Sequence, residues 1–179
     1  GCESLSLPML THTRQQLRRI LAHRHATNQE LQQVLWRDPG ATIMLYQAIE
    51  KLRPGTAHGV SSPAHALSLI GHQAFLELVN KAPTLEAPKP SNQAWQGQAY
   101  SQAAHAAHFA LDLCQSAAIP GADEVITAAL LQNPAILALW ALNPAAAQRA
   151  TTAIRLQVPF DRAFSTELGE PLNQANRRL

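Results

Sequence analysis

The sequence predicts an all-α domain of roughly nine to eleven helices, and three observations predict it. The chain is rich in Ala, Leu and Gln, 46% hydrophobic, only 15% charged and poor in aromatics, a composition that suits packed helices better than sheets or disorder. Apolar residues recur at helical spacing, as in the stripe Leu45, Ala48, Ile49 and Leu52. Helix starts are also punctuated: Asp38-Pro39, Ser62-Pro63, Asn133-Pro134 and Asn143-Pro144 each set a capping oxygen before a proline whose missing N–H costs nothing at the first helical position. At 179 residues the chain is long enough to bury a substantial core.

Taken in order, an extended lead through Leu7-Pro8 is followed by an amphipathic helix over residues 11–25, with Leu17, Ile20 and Leu21 on its buried face. Thr27 starts the next helix, with Glu30 three residues on to complete a capping box, and Leu31, Val34 and Leu35 form its apolar stripe. Helices follow from Pro39, from Pro63 and, after Gly71, through Phe75, Leu78 and Val79. Pro83, Pro88 and Pro90 exclude a regular helix, so residues 83–92 read as an exposed connector. The chain is therefore expected to form a single domain, 1–179, with an N-terminal helical half (about 7–82) and a C-terminal half (93–179). The second half opens with one long Ala-rich helix from Gln93 to about Ala118, ended by Pro120-Gly121. Asp123 and Glu124 suit the positive start of the next helix, which ends near Leu131. Further helices are expected over residues 136–142, 145–156 and 163–168 and from Pro171 onward. No convincing strand and no repeat period is visible.

Fourteen Lys and Arg against twelve Asp and Glu give a formal charge of +2, too weak to argue for nucleic acid or an anionic membrane. Cys2 and Cys114 are too far apart to form a motif, and two reduced thiols in a cytoplasmic protein are expected. No apolar stretch is read as reaching the roughly 18 residues that span a bilayer, and no secretory leader is recognisable.

The run Leu31-Gln32-Gln33-Val34-Leu35-Trp36-Arg37-Asp38-Pro39-Gly40-Ala41-Thr42 resembles the early signature of the HDOD (HD-related output domain) family, an amphipathic helix running into Asp-Pro and a second helix. Val60-Ser61-Ser62-Pro63-Ala64-His65-Ala66-Leu67-Ser68-Leu69-Ile70-Gly71, followed by Phe75, resembles the family's next segment. The likeness covers residues 7–179 and implies a compact HD-like helical domain, with further helices following in a longer protein. One departure is Gln47-Ala48-Ile49-Glu50, where the family often carries Asn-Ser-Ala.

HD-type phosphohydrolases, to which this family is related, hold a metal with an early His, a His-Asp pair and a later Asp. The resemblance puts Gln132 and Asn133 at the His-Asp positions and Tyr100, within a residue or so, at the first His. Neutral amides and a phenol are poor ligands for a divalent cation, so a vestigial pocket without metal-activated water is expected. Asn133 is read chiefly as the cap of the helix starting at Pro134, and Gln132 as a buried or bridging amide.

The sharpest rival is His105, His108 and Asp112, spaced to share one side of the long helix, as metal ligands can. That set points roughly 80 to 140° away from Tyr100, and Ser101 and Gln115 on the same face favour solvent. His65 and His72 read as surface or boundary histidines, the basic cluster Arg14, Arg18, Arg19, His23, Arg24 and His25 as a solvated face, and Trp36, Trp95 and Trp140 as core anchors. No phosphate loop, dinucleotide fingerprint or nucleophile elbow is present. The expectation is a non-catalytic bacterial regulatory domain, needing no cofactor, that binds other signalling proteins. The resemblance sets such domains beside cyclic-dinucleotide, phosphorelay or chemotaxis modules without selecting among them. Two alternatives stay open: a small-molecule or nucleotide sensor using the vestigial pocket, and a divergent metal-dependent phosphohydrolase using His105, His108 and Asp112.

Overall fold

A computed structural model describes residues 7–55, 59–85 and 93–178. Among them are eleven α-helices and two strands of two residues each. The order is β1 (Met9–Leu10), α1 (Thr11–Leu21), α2 (Asn28–Leu35), α3 (Pro39–Leu52), α4 (Pro63–Ile70), α5 (His72–Lys81), β2 (Thr84–Leu85), α6 (Gln93–Ala117), α7 (Ala122–Leu130), α8 (Pro134–Leu142), α9 (Pro144–Arg155), α10 (Phe160–Leu168) and α11 (Leu172–Arg178).

The all-α reading holds, with one departure. β1 and β2 pair in parallel, Met9 opposite Thr84 and Leu10 opposite Leu85, and the Met9 N–H reaches the Pro83 carbonyl at 3.0 Å. Two residues are too few to show a two-residue alternation in sequence, so this pair left no periodic signal. Helix α1 stops at Leu21, short of residue 25: its apolar stripe ends there, and His23, Arg24 and His25 are exposed.

Two compact units result, Gly1–Ala87 with Tyr100–Leu131, and Pro88–Ala99 with Gln132–Leu179. The division thus falls within α6 and after α7, where the sequence alone suggests a cut at the 83–92 connector; residues 86–92 of that connector lie outside the described part.

The first unit has two apolar centres. Met9, Leu17, Leu31, Leu35, Leu45, Ile49, Leu67, Phe75 and Val79 form the larger one, from β1 and the faces of α1 to α5. Trp36, Ala103, Ala107, Ile126 and Leu130 form the smaller, joining the end of α2 to α6 and α7. In the second unit α8 packs on α9, α9 on α10, and α11 on α8 and α10. Small residues face inward there, with Ala146, Ala147 and Ala150 on α9 and Ala163 on α10 buried. Phe160 and Phe164 pack at 5.0 Å between ring centroids.

The stretch Ala122–Leu142 is long and apolar enough, by length and composition, to cross a membrane, contrary to the reading from sequence. Here the chain breaks at Leu131–Asn133 into α7 and α8, whose apolar side chains Ile126, Leu130 and Ile136–Trp140 are buried within the protein.

Candidate functional site

The Asp38-Pro39-Gly40 corner is built from buried polar groups. Asp38 caps α3 through the Ala41 N–H at 2.9 Å, and its other oxygen accepts the Leu10 N–H at 2.7 Å. The side chain is fully buried, and desolvation pushes its carboxyl above the usual range despite the opposing hydrogen bonds from Ala41, Leu10, Thr13 and Gly40. Tyr100, 1% exposed, donates its hydroxyl to the Pro8 carbonyl at 2.7 Å. Burial first and the neighbouring Asp38 charge second raise that phenol, which therefore remains a donor. Gly40 sits between them: a Cβ there would overlap the Pro8 carbonyl oxygen and approach the Tyr100 hydroxyl to 2.8 Å. Tyr100, expected at a vestigial ligand position, thus fastens the leader 7–10 to α6, while Asp38 ties it to the start of α3.

A second buried amide does similar work. Gln32, 0% exposed, accepts the Ala64 N–H at 2.9 Å and donates to Asp123 at 3.0 Å and Gln29 at 3.1 Å, so one side chain joins α2 to the starts of α4 and α7. Beside it, the Trp36 indole N–H reaches the Thr127 hydroxyl at 3.1 Å, and Thr127 donates to the Asp123 carbonyl at 2.7 Å. Sequence reasoning passed over Gln32; the available signal was a neutral amide between Leu31 and Val34 on a helix that buries both neighbours.

Gln132 and Asn133 behave differently from expectation. Gln132 is exposed, not a buried or bridging amide. Asn133 occupies the cap position of α8 but makes no side-chain cap bond there. Its Oδ1 instead accepts from the Asn176 amide at 3.3 Å, and Asn176 Oδ1 takes the Ala135 N–H at 3.0 Å. The cap of α8 is therefore supplied by α11, a pairing over forty-one positions that no local pattern announces.

On α6, His108 and Asp112 lie 3.6 Å apart and both are exposed. His105 does not join them: among the described residues no three His, Cys, Asp or Glu side chains gather closely enough to hold a metal. His65 is exposed, whereas His72 Nε2 meets Asn28 Oδ1 at 2.7 Å, and Asn28 in turn donates to Ser68 at 2.8 Å. Trp36 and Trp140 are buried, and the side chain of Trp95 lies outside the described part.

Helix α6 also inverts the usual amphipathic order. Ala103, Ala107 and Cys114 are buried, while Phe109 and Leu113, one turn apart, are 71% and 63% exposed. Counted from Ala107 at about 100° per residue, Phe109 points away from the buried alanines and Leu113 falls on the flank of that face.

Finally, a cleft of ≈ 440 Å³ lies between α3, the 59–61 segment and α7, lined by Tyr46, Gly59, Val60, Ser61, Glu124, Thr127, Ala128 and Leu131. At its wall the Tyr46 hydroxyl is buried beside the Thr127 hydroxyl, its side-chain hydrogen-bond partner. Burial pushes this phenol up to about 12, the nearby Thr127 hydroxyl opposing.

These features define a helical domain whose buried polar groups serve as fasteners between its elements. The HDOD domain signature matches residues 7–176, and the chain belongs to the HDOD family. Among solved structures, the MmoQ response regulator from Methylococcus capsulatus str. Bath is similar over 99% of this chain and 70% of its own, with 21% identity and a TM-score of 0.68. No curated protein matches the chain.

Proposed function

We propose that this chain is a non-catalytic bacterial signalling domain, cytoplasmic in location, whose output is the binding of another protein to the outer face of α6. The observation that carries the reading is the pair Phe109 and Leu113, large apolar groups held in solvent by a helix that turns alanines inward. HDOD membership supports a signalling or regulatory role. An exposed Gln132 and an Asn133 tied to Asn176 support the absence of hydrolysis, since neither supplies the anionic or imidazole donor that a catalytic cation needs.

The test is affinity capture from cells that express the chain natively, comparing wild type with the Phe109→Ser/Leu113→Ser double variant. Recovery of signalling proteins by wild type, reduced about ten-fold or more in the double variant, is the expected outcome. Equal recovery by both would end the docking reading. Separately, stoichiometric metal in protein purified without chelator, with phosphodiesterase activity lost in His105→Ala, would end the non-catalytic one.

A further inference from the structure

The outer face of α6 has a symmetry in its sequence. Its solvent-facing stripe runs Gln102, His105, Phe109, Asp112 and Ser116, all exposed, at alternating steps of three and four that keep these side chains along one line of the helix. Phe109 stands midway between the ends of the stripe. Counted from it at about 100° per residue, His105 and Asp112 lean to one flank, and Ala106 and Leu113 lean to the other. Each flank therefore carries two complementary groups on either side of Phe109: an imidazole and a carboxylate on one, a small and a large apolar side chain on the other. His105 joins no ion pair among the described residues, and Asp112, 3.6 Å from His108 of its own helix, is exposed and keeps lone pairs for a second donor.

Such a face is complementary to itself. A two-fold axis through Phe109 that relates two antiparallel copies of α6 keeps each flank on its own side while exchanging the helix ends. His105 then meets Asp112 of the second copy, and Ala106 leaves room for its Leu113, each pair within about 1.5 Å of level along the helix. Gln102 and Ser116 fall opposite each other at the rim, and the two Phe109 rings meet on the axis. We propose that α6 pairs in this way with α6 of a second copy, making the chain a two-fold dimer. The inference rests on the docking reading of this face and names one occupant of it, so a signalling partner that binds there competes with the second copy. The stripe spans only about 21 Å of helix, less than an obligate interface occupies, and the dimer is accordingly weak, with a dissociation constant on the order of 10–100 μM.

Sedimentation equilibrium of the whole chain from about 1 μM to 1 mM is expected to show a reversible monomer–dimer transition. Phe109→Ser is expected to weaken the dimer by about ten-fold or more. His105→Glu, which sets carboxylates against each other across the axis, is expected to weaken it by about ten-fold, and adding Asp112→Lys to restore it. Under air oxidation Phe109→Cys should cross-link to itself above the wild-type background, whereas Gln102→Cys should not, since antiparallel copies hold that position about 21 Å apart. A chain that stays monomeric up to about 1 mM, a dimer indifferent to Phe109→Ser or His105→Glu, or Gln102→Cys cross-linking as readily as Phe109→Cys would each overturn the inference. Failure of the docking reading is separate and shows as equal capture of signalling proteins by wild type and the Phe109→Ser/Leu113→Ser variant, whatever the sedimentation result.

Discussion

Two Asx-Pro helix starts, one in each unit of the molecule, are closed in opposite ways. In the first, Asp38 caps its own helix and reaches back to the leader with its other oxygen, so one residue performs the local and the distant task. In the second, Asn133 stands at the same place before a proline yet gives its side chain to Asn176, and α11 returns the cap to Ala135. Identical local grammar, Asx-Pro at a helix start, thus yields a self-sufficient start in one unit and a borrowed one in the other. The difference teaches that a cap motif predicts where a helix begins better than it predicts which oxygen closes it.

The comparison is broken most severely at the Asp38 corner. Asp38→Ala leaves the buried Leu10 and Ala41 N–H groups without acceptors, and equilibrium urea unfolding is expected to show a loss of about 3 kcal/mol. Gly40→Ala is expected to cost about 2 kcal/mol or more by the same measurement, because the obstacle is the Pro8 backbone rather than a side chain that can swing away. In the second unit Asn176→Ala is expected to lower stability by about 1 kcal/mol, and Asn133→Ala by less, reversing the order that the cap motif implies.

Acidity separates Asp38 from an ordinary cap. Its carboxyl is raised in the folded state, so its protonated form is the better accommodated one, and that contribution is lost as pH rises through the folded value. The stability of wild type relative to Asp38→Asn is therefore expected to decline as pH rises above the ordinary carboxylate value of 3.8 in urea titrations. The smallest effect belongs to helix ends: Ala118 and Gln157 carry positive φ of 49° and 69° after α6 and α9, where glycine is at ease. Ala118→Gly and Gln157→Gly are each expected to raise the melting temperature slightly, for a gain of about 0.5–1 kcal/mol.

Most of the fold was legible because its cues are local. The Thr27 capping box forms as read, with Glu30 closing it at 2.9 Å, and Ser62 and Asn143 cap α4 and α9 as their prolines suggest. What escaped was distant or too short to be periodic: the β1–β2 pair, the Asn133–Asn176 exchange and Gln32 reaching Asp123 across ninety-one positions. The candidate site was legible only in part. Residue spacing suggested His105, His108 and Asp112, but spacing along a helix fixes direction without fixing what waits there, and only His108 and Asp112 approach each other. Tyr46 carried no local signal, since its neighbour Thr127 lies on α7, far along the chain.

The seat of Pro8 on Gly40 and Tyr100 bears on how the chain answers to load. A leader held only by a strand pair of two residues would peel away from its tip; this one is clamped at its carbonyl, hydrogen-bonded at Leu10 and wedged over a position with no room for a methyl group. Tension on the leader is therefore shared between the first turn of α3, through Asp38, and α6, through Tyr100.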